Sequence, residues 1–542
     1  MNQRSPAAGM AHHKNGPFHL DASQFGIDEA VQKKTDRMKR CHEGHPDEEH
    51  EKIVDANLLV LLSPSEAQHS PPIREIKMEE HPLTPPSRVC VQAVFQSGPT
   101  AGQSASLHAL DSDAPHSLPD SPSGRSAWLQ RIPMFPSARP RAPSDALKSA
   151  LPSRPMDWND DEVVKRAREL APLLRAHARA AEQARQPADE VIEALRQARL
   201  FDIMVPRAYG GLELDLDHFL EVGLALGEGD AAMAWVATFY IEHNWMLCQF
   251  PESFQKILYA ERSHILAPAS LSPGGQATAE PGGYRISGRW QWSTGIVHAD
   301  WVLVGVVLQS EQKNLPEVRL FALPRTDVEL IDTWHTDGMA GTGSHDVKID
   351  GVFVPEDRSV DVMAMASGTA DGARIHSGPL YQTPMVPILA LAASMPALGQ
   401  ARACVRSFQE RMKKRHLYGA AGQKQSDRPA AQIRLARAAI QVRQAELLMR
   451  DVVDDVMKVR HQATPQDRAR WTGQLAYVVD QSKRILQSLA EASGASAHFL
   501  DNPLQRALRD VNLIATHVVF DLDQRLEIHG RGLLGLDPGG LV

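Results

Sequence analysis

The spacing of apolar residues changes twice along this 542-residue chain, and the order of the changes restricts the fold more than any other feature. From Asp157, in DEVVKRARELAPLLRAHARAAEQARQ, apolar and alanine positions recur three and four residues apart, which predicts helices. Between about 266 and 362, short runs such as DWVLVGVVL and HDVKIDGVFVP are bounded by Gly, Asp and Pro, which predicts strands. After Pro384 the helical spacing returns. The sequence therefore predicts helices, then a β domain, then helices again.

The same pattern places the domain boundaries. Residues 1–153 contain strings such as SPPIREIKMEEHPLTPPSR, with few sustained apolar periods. Such a composition buries too little apolar surface to offset the entropy of ordering, so we expect a mostly disordered extension. The remainder is predicted to be of the α+β class. It divides into an N-terminal α-helical domain, a middle β domain and a C-terminal helical bundle, at residues 154–265, 266–365 and 380–542.

Individual helices are predicted as well. Pro187 is tolerated in a first helical turn and begins a second helix, which the turn VPRAYGGLELD follows. One long helix is expected over about 216–250, with a neighbour near 251–262. Long segments joined by short loops indicate a bundle. We expect four of them, at roughly 385–418, 426–462, 465–493 and 503–530.

Charge and cysteine content exclude several functions. The net charge of −8 argues against nucleic acid or an anionic membrane as the main partner. The four cysteines show no CxxC spacing, which indicates neither a zinc site nor a disulfide framework, and no metal is expected. No run of about 18 apolar residues and no apolar secretory core is found. We therefore expect a cytoplasmic protein without a membrane partner.

Three strings carry a family resemblance. VPRAYGGLELD resembles a turn between early helices of the acyl-CoA dehydrogenase superfamily, and WQWSTGIVHADWVLVG resembles its flavin-contacting strands. GMAGTGSHDVKIDGVFVP is similar to the next signature, in which a Gly-rich turn leads into a strand ending in Val-Pro. The strings occur in the family's order and spacing over nearly all of residues 157–542. The resemblance implies an N-terminal helical domain, a middle β domain and a C-terminal four-helix bundle.

Two further features resemble the aromatic hydroxylases that share this fold. One is GTGS at 341–344, and the other is SGASAHFLDNPLQRALRDVNLIATHVVFDLD, with NPLQR, RD and a histidine seven residues after the Asp. No Tyr-Glu-Gly string, typical of true dehydrogenases, is present. Ala340 stands where an arginine is common in these hydroxylases, which removes an ionic contact there. The group resembled contains p-hydroxyphenylacetate and 3-hydroxy-seco-steroid hydroxylases.

This resemblance implies the oxygenase component of a two-component flavin-dependent monooxygenase. Such an enzyme uses molecular oxygen and reduced FMN or FAD, forms a flavin C4a-hydroperoxide, and hydroxylates an aromatic, usually phenolic, substrate. A separate NAD(P)H:flavin reductase supplies the reduced flavin, and the chain shows no GxGxxG fingerprint of its own nicotinamide site. The resemblance also implies a homotetramer.

The resemblance also assigns flavin-contacting residues. It places the Ser293 hydroxyl at the flavin N5 edge, with Trp292 as an apolar wall, although Ser-Thr-Gly at a strand end is also an ordinary turn. Ser270 is either a cavity residue or a loop serine. Successive amides of a Gly-rich turn can hold flavin or its phosphate, whereas helix-surface arginines either contact phosphate or pair with acids. The other cofactor candidates are Thr294, Gly295, Gly341, Thr342, Gly343, Ser344, Arg506 and Arg509.

Two histidines are the other catalytic candidates beside Ser293. His517 is predicted to lie in the last long helix, on one face with Arg506 and Asp510, and the resemblance makes it the general base or orienter of a phenol. His243 follows an aromatic stripe at helical spacing, which is otherwise typical of core, and the resemblance puts it in the substrate cavity.

Two other functions remain open at this stage. An acyl-CoA dehydrogenase would remove a thioester α-proton with a carboxylate and pass hydride to tightly held FAD. A catalytically inactive flavin-fold scaffold would use its long extension to recruit partners. Fold alone does not separate these possibilities, because function depends on the site.

Overall fold

The computed structural model describes Trp158 and residues 161–308, 317–419 and 422–540. The predicted extension, 1–153, lies outside the described residues. Within them the elements follow the order helices, strands, helices that the apolar spacing predicts.

The N-terminal helices begin and end at recognisable caps. Asp161 accepts hydrogen bonds from the Val163 and Val164 amides at 3.0 and 2.9 Å, so it caps the first helix. Arg185 ends that helix in the left-handed conformation, with φ of 56°. These caps set the bounds of the helix without a glycine. The helices of this domain are α1 Glu162–Ala184, α2 Asp189–Gln197, α3 Leu216–Gly227, α4 Ala231–Leu247 and α5 Glu252–Leu258.

The single long helix expected over 216–250 is wrong, because α3 and α4 are separate helices. The chain breaks at Glu228–Asp230, where the Asp230 side chain accepts from the Met233 amide at 3.0 Å and caps α4. Gly229 fits tightly at the break, since a Cβ there would lie 2.6 Å from the Ala171 carbonyl oxygen. Apolar spacing continues across the break and conceals it.

The β domain consists of two four-stranded sheets. One has the order β1–β4–β5–β8, with β1 parallel to β4, and the other has the order β2–β3–β7–β6. Their facing sides share a core that includes Trp290, whose indole N–H donates to the Gly305 carbonyl at 2.7 Å. The strands are β1 Ala269–Ser270, β2 Gly275–Glu280, β3 Gly283–Ser293, β4 Trp301–Leu308, β5 Glu317–Pro324, β6 Glu329–Ile331, β7 His345–Pro355 and β8 Ser359–Asp361.

Long helices pack together after the β domain. The most apolar of them, α8 at Met385–Lys414, meets the length and composition expected of a membrane span, but 83% of its apolar window is buried inside the protein, as in a core helix. It packs against α3, α4 and α10, the last of which is Pro465–Ser493. These helices, after the short α6 Val362–Ala366 and α7 Asp371–Ile375, are α8 Met385–Lys414, α9 Pro429–Val459, α10 Pro465–Ser493, α11 Pro503–Ile514 and α12 Leu522–Leu533.

The fourth long segment expected over 503–530 is wrong. The structure divides it into α11 and α12, with a short 3-10 turn at Val518–Phe520 between them. His517 and Asp521 accept backbone amides at the start of this turn and of α12, so each side chain stabilises the break. His517 is therefore not on a helical face with Arg506 and Asp510.

A buried cluster of charged residues joins the three domains. Asp510 of α11 accepts a hydrogen bond from the Met339 amide of the β domain at 2.6 Å. Arg506 of α11 reaches Asp230, the cap of α4, with Nε 3.6 Å from Oδ2. Nearby, Arg509 pairs with Glu182 of α1. Each of α1, α4 and the Met339 turn thus depends on α11 for a polar partner.

This cluster makes stability depend on pH. Burial, and then the neighbouring Asp230, raise the pKa of Asp510 to about 7. Between about pH 4 and 7 the folded protein therefore holds a proton that the unfolded chain has lost, and this contribution to stability falls as pH rises. Asp510→Asn keeps the acceptor for Met339 and carries no charge. Between about pH 5 and 7.5, we expect the free energy of unfolding of wild type to fall by on the order of 2 kcal/mol relative to that of this variant. Urea unfolding measures both.

Glu280→Gln is the matched control. Hydrogen bonds with Arg285 lower the pKa of Glu280, so the difference between wild type and this variant should be flat over the same range. A flat difference for Asp510→Asn as well would contradict the prediction.

Candidate functional site

Helix α4 is buried along its whole length and carries an aromatic stripe toward the other domains. Trp235 stacks on Phe239 with ring centroids 4.6 Å apart, and Phe239 meets His243 edge-on at 5.3 Å. At the other end of the stack, Trp235 meets the His517 ring edge-on at 5.4 Å. The two histidines predicted to be catalytic therefore flank one aromatic pair.

His243 is held as a neutral ring with a defined proton position. Its Nδ1 lies 2.6 Å from the Ala267 carbonyl oxygen, which only accepts, so Nδ1 carries the proton and Nε2 is an acceptor. Burial lowers the pKa of His243 to about 4, so the ring is uncharged at neutral pH. The free lone pair of Nε2 is available to a hydroxyl proton.

His517 has the opposite arrangement. Its Nδ1 accepts from the Val519 amide at 3.3 Å, so the neutral ring carries its proton on Nε2. Burial, and then the positive charge of Arg525, lower the pKa of His517 to about 4. The ring therefore presents an N–H donor. Its place in the turn before α12, and not on a helix, fixes the direction of that donor.

Two turns of the β domain meet beside Trp235. The Gly295 amide donates to the Thr342 carbonyl at 2.9 Å, which ties the Ser-Thr-Gly turn to the Gly-rich turn. Gly295 has φ of 75°, and a Cβ there would lie 2.5 Å from the Tyr240 hydroxyl, so this position requires glycine. Gly341 and Gly343 flank Thr342 in the second turn. The structure thus brings together the residues predicted from the two strings.

A directed chain of hydroxyls links these turns. The Thr342 hydroxyl donates to the Met339 carbonyl at 2.8 Å, so it accepts from Ser344 at 2.7 Å. Ser344 in turn accepts from Thr294 at 3.0 Å, and the Trp235 indole N–H points to Thr294 at 3.4 Å. Every hydrogen position follows from the terminal carbonyl, which cannot donate. The chain orients the wall formed by Trp235.

Ser293 is left with an acceptor position. The Ser270 hydroxyl donates to the Gln291 carbonyl at 3.1 Å and lies 3.0 Å from the Ser293 hydroxyl. Because the Ser270 proton is engaged, Ser293 donates to Ser270 and its remaining lone pair can accept from another donor. The N5–H of reduced flavin is such a donor. The described residues therefore fit the predicted role of Ser293.

Trp292 does not form the predicted apolar wall within the single chain. Its side chain is 62% exposed, while the adjacent Ser293 is fully buried. The backbone at Trp292 has φ of 65°, a conformation that side chains other than glycine rarely adopt. The strand therefore ends by turning Trp292 outward and Ser293 inward. The apolar wall of the site is built from Trp235 and Phe239.

Arg506 and Arg509 contact acids and the backbone. Of the two roles considered for helix-surface arginines, phosphate binding and pairing with acids, these contacts correspond to the second. Arg506 faces Asp230, and Arg509 contacts Glu182, Gln505 and the Asp337 carbonyl. Apart from Gln505 in the same helix, the observed contacts of these two arginines are with neighbouring domains.

Sequence reasoning missed Glu242. This residue is fully buried between Ile241 and His243, and both of its carboxylate oxygens lack a hydrogen-bond partner among the described residues. A signal was present, because Glu242 is the one acidic side chain in AAMAWVATFYIEHNWML. Acidic residues are rarely buried without a partner, so an isolated one in an apolar helix indicates a functional position.

Comparisons with known proteins identify the family of this chain. The family described as acyl-CoA dehydrogenase, C-terminal domain, matches residues 391–522. A pigment production hydroxylase from a Rhodococcus species is 34% identical over 384 residues, covering 70% of this chain and 98% of that protein. The oxygenase component of an FADH(2)-dependent resorcinol hydroxylase from a Rhizobium species is 32% identical over 397 residues, covering 70% and 95%.

A solved structure shows the same fold. The HsaA monooxygenase from M. tuberculosis matches with a TM-score of 0.66 and 30% identity, covering 71% of this chain and all of that one. The predicted acyl-CoA dehydrogenase-like fold is thereby confirmed. Since relatives above 30% identity are matched over nearly their full length, the chain belongs to the family of flavin-dependent monooxygenase oxygenase components built on the acyl-CoA dehydrogenase fold.

Proposed function

We propose that this chain hydroxylates a phenolic substrate as the oxygenase of a two-component system, through a flavin C4a-hydroperoxide formed from reduced FMN or FAD. The observation that carries the proposal is the placement of His243 and His517 at opposite ends of the Trp235–Phe239 stack, beside the Ser293 turn. When bound, reduced flavin supplies the electrons that activate oxygen. A separate reductase supplies the reduced flavin.

The two rings can divide the work on a phenol. His517 donates through Nε2–H to the phenolic oxygen and stabilises negative charge there, while the Nε2 lone pair of His243 accepts a hydrogen bond from a hydroxyl group. Both rings are uncharged at neutral pH, so neither traps the phenolate as a buried ion pair. Trp235 and Phe239 exclude water from the reacting atoms.

One experiment separates this proposal from its rivals. The full chain is mixed with reduced FMN or reduced FAD, oxygen and a phenol, and the hydroxylated product is measured. We expect product with reduced flavin and none with NADH alone unless a reductase is added. Reduction of bound FAD by an acyl-CoA would favour a dehydrogenase, and no flavin affinity in either redox state would favour an inactive scaffold.

His517 gives the first prediction for this site. His517→Ala should leave reduced-flavin binding nearly intact but lower hydroxylation on the order of 10²–10⁴-fold, because the positioned donor to the phenolic oxygen is lost. The lost turnover should reappear as hydrogen peroxide. His517→Asn keeps an N–H donor and should restore substrate binding more than rate. Product, peroxide and melting temperature are measured together on one phenol.

The control is His461→Ala, which removes an exposed histidine bonded to Gln382. It should change neither product nor peroxide. Normal hydroxylation by His517→Ala, or its unfolding, would make His517 structural and leave His243 as the next residue to test.

We also propose a homotetramer. The α9 helix exposes three large apolar side chains at seven-residue intervals: Ile433, Ile440 and Leu447 are 59%, 60% and 49% exposed. Residues seven apart lie on one face of a helix, so they form a continuous apolar stripe. A stripe of this kind suits contact with another copy of the chain.

Light scattering after size-exclusion chromatography tests the assembly. Wild type should have the mass of four chains, and Ile440→Glu should lower the mass, because burying a carboxylate in an interface is costly. Ile257→Glu, at a 55% exposed site on α5, is the control and should leave the mass unchanged. A monomeric wild type would contradict the proposal.

A further inference from the structure

The most unusual buried group in the described part of the chain is the Glu242–His243 pair. Neither Glu242 oxygen nor His243 Nε2 has a hydrogen-bond partner among the described residues, although both side chains are at most 1% exposed. Glu242 Oε2 lies 3.3 Å from His243 Nε2, without hydrogen-bond geometry. Three unsatisfied polar atoms thus lie at one place, where leaving each unpaired is costly.

Helical geometry puts Glu242 on the face that forms the site wall. It follows Trp235 by seven residues and Phe239 by three, and residues at these intervals share one face of a helix. Trp235 on that face contacts His517 and Thr294, and Phe239 contacts His243. Glu242 therefore belongs to the same surface as the residues assigned to the phenol.

The carboxyl group is in its uncharged form. Burial raises the pKa of Glu242 well above its usual range, and burial lowers that of His243, so proton transfer to make an ion pair is disfavoured. A neutral carboxylic acid has one donor and at least two acceptor positions. Together with His243 Nε2, it offers a second polar contact point at the His243 end of the aromatic stack.

We infer that Glu242, buried and unpaired beside His243, binds a second uncharged polar substituent of the aromatic substrate, a hydroxyl or a carbonyl. The inference rests on the proposed function and narrows its substrate class. A carboxylate substituent at this point would be a desolvated anion next to a carboxyl group, which disfavours its binding. A hydroxyl both donates and accepts, and so satisfies atoms that are otherwise unpaired.

Equilibrium binding by calorimetry tests the substrate class. The full chain is titrated with phenol and with catechol, resorcinol and hydroquinone, and the tightest dihydroxybenzene is compared with phenol. We expect it to bind about 10-fold more tightly than phenol, the usual worth of one added hydrogen bond in a buried site. Glu242→Met should bring this ratio close to one, and Glu242→Gln, which keeps a donor and an acceptor, should retain most of it.

Melting temperature distinguishes a binding role from a structural one. If Glu242 is kept for a ligand, replacing it with the apolar Met should raise the melting temperature of the free protein, because an unpaired buried carboxyl is removed. If Glu242 stabilises the fold, the same change should lower it. A lowered melting temperature with an unchanged binding ratio would overturn the inference.

Infrared difference spectra provide a readout independent of activity. The carbonyl band of a protonated carboxylic acid should shift when the dihydroxybenzene binds, and this difference signal should be absent in Glu242→Gln. Glu221→Gln is the control, because Glu221 is also buried but pairs with Arg450, and its loss should leave the shift intact. A wild type that binds no phenol would overturn both the proposed function and this inference. If wild type binds phenol, but the ratio of dihydroxybenzene to phenol affinity is the same in wild type and in Glu242→Met, the inference alone is overturned.

Discussion

The hydrogen bond from the Met339 amide to Asp510 is the contact on which the site depends. It fastens the Gly-rich turn of the β domain to α11, and the neighbouring Arg506 fastens α11 to the cap of α4. The hydroxyl chain that orients Trp235 ends on the Met339 carbonyl. Met339 thus donates its amide proton to the bundle, and its carbonyl accepts the last hydrogen bond of the hydroxyl chain at the site. Movement of α11 would therefore shift Met339 and the wall of the site together.

Sequence alone predicted the order of helices and strands and identified the two turns that meet beside Trp235, because the strings carrying them are local. The turn containing Ser293 and Gly295 and the turn at 341–344 can each be identified from a few adjacent residues. Their meeting through Thr342 is a tertiary contact, and only the structure shows it. The same holds for His243 and His517, which lie far apart in the chain and contact one aromatic pair.

The incorrect predictions have a common physical cause. The spacing of apolar residues carries no information about which polar side chains accept hydrogen bonds from backbone amides. Asp230 caps α4 and ends a stretch that otherwise continues the period of α3, and His517 does the same between α11 and α12. Trp292 was predicted from the resemblance as an apolar wall, but its side chain is exposed in the single chain, at a residue with a left-handed backbone. Each of these choices is decided by a backbone amide or by a backbone angle.

The buried polar residues of α4 fall into two groups: those whose hydrogen bonds the fold satisfies, and those that have no partner among the described residues. In a helix with every residue buried, Asn244 donates to the Tyr240 and Ile265 carbonyls, and Tyr240 donates to Gly295, so both are satisfied by the fold. No described residue forms a hydrogen bond with the Glu242 carboxyl group or with His243 Nε2. The same burial that keeps both site histidines neutral also keeps the Glu242 acid neutral, so the whole surface can bind hydroxyls without desolvating a charge. A neutral polar surface in an apolar wall selects uncharged polar aromatics over anions.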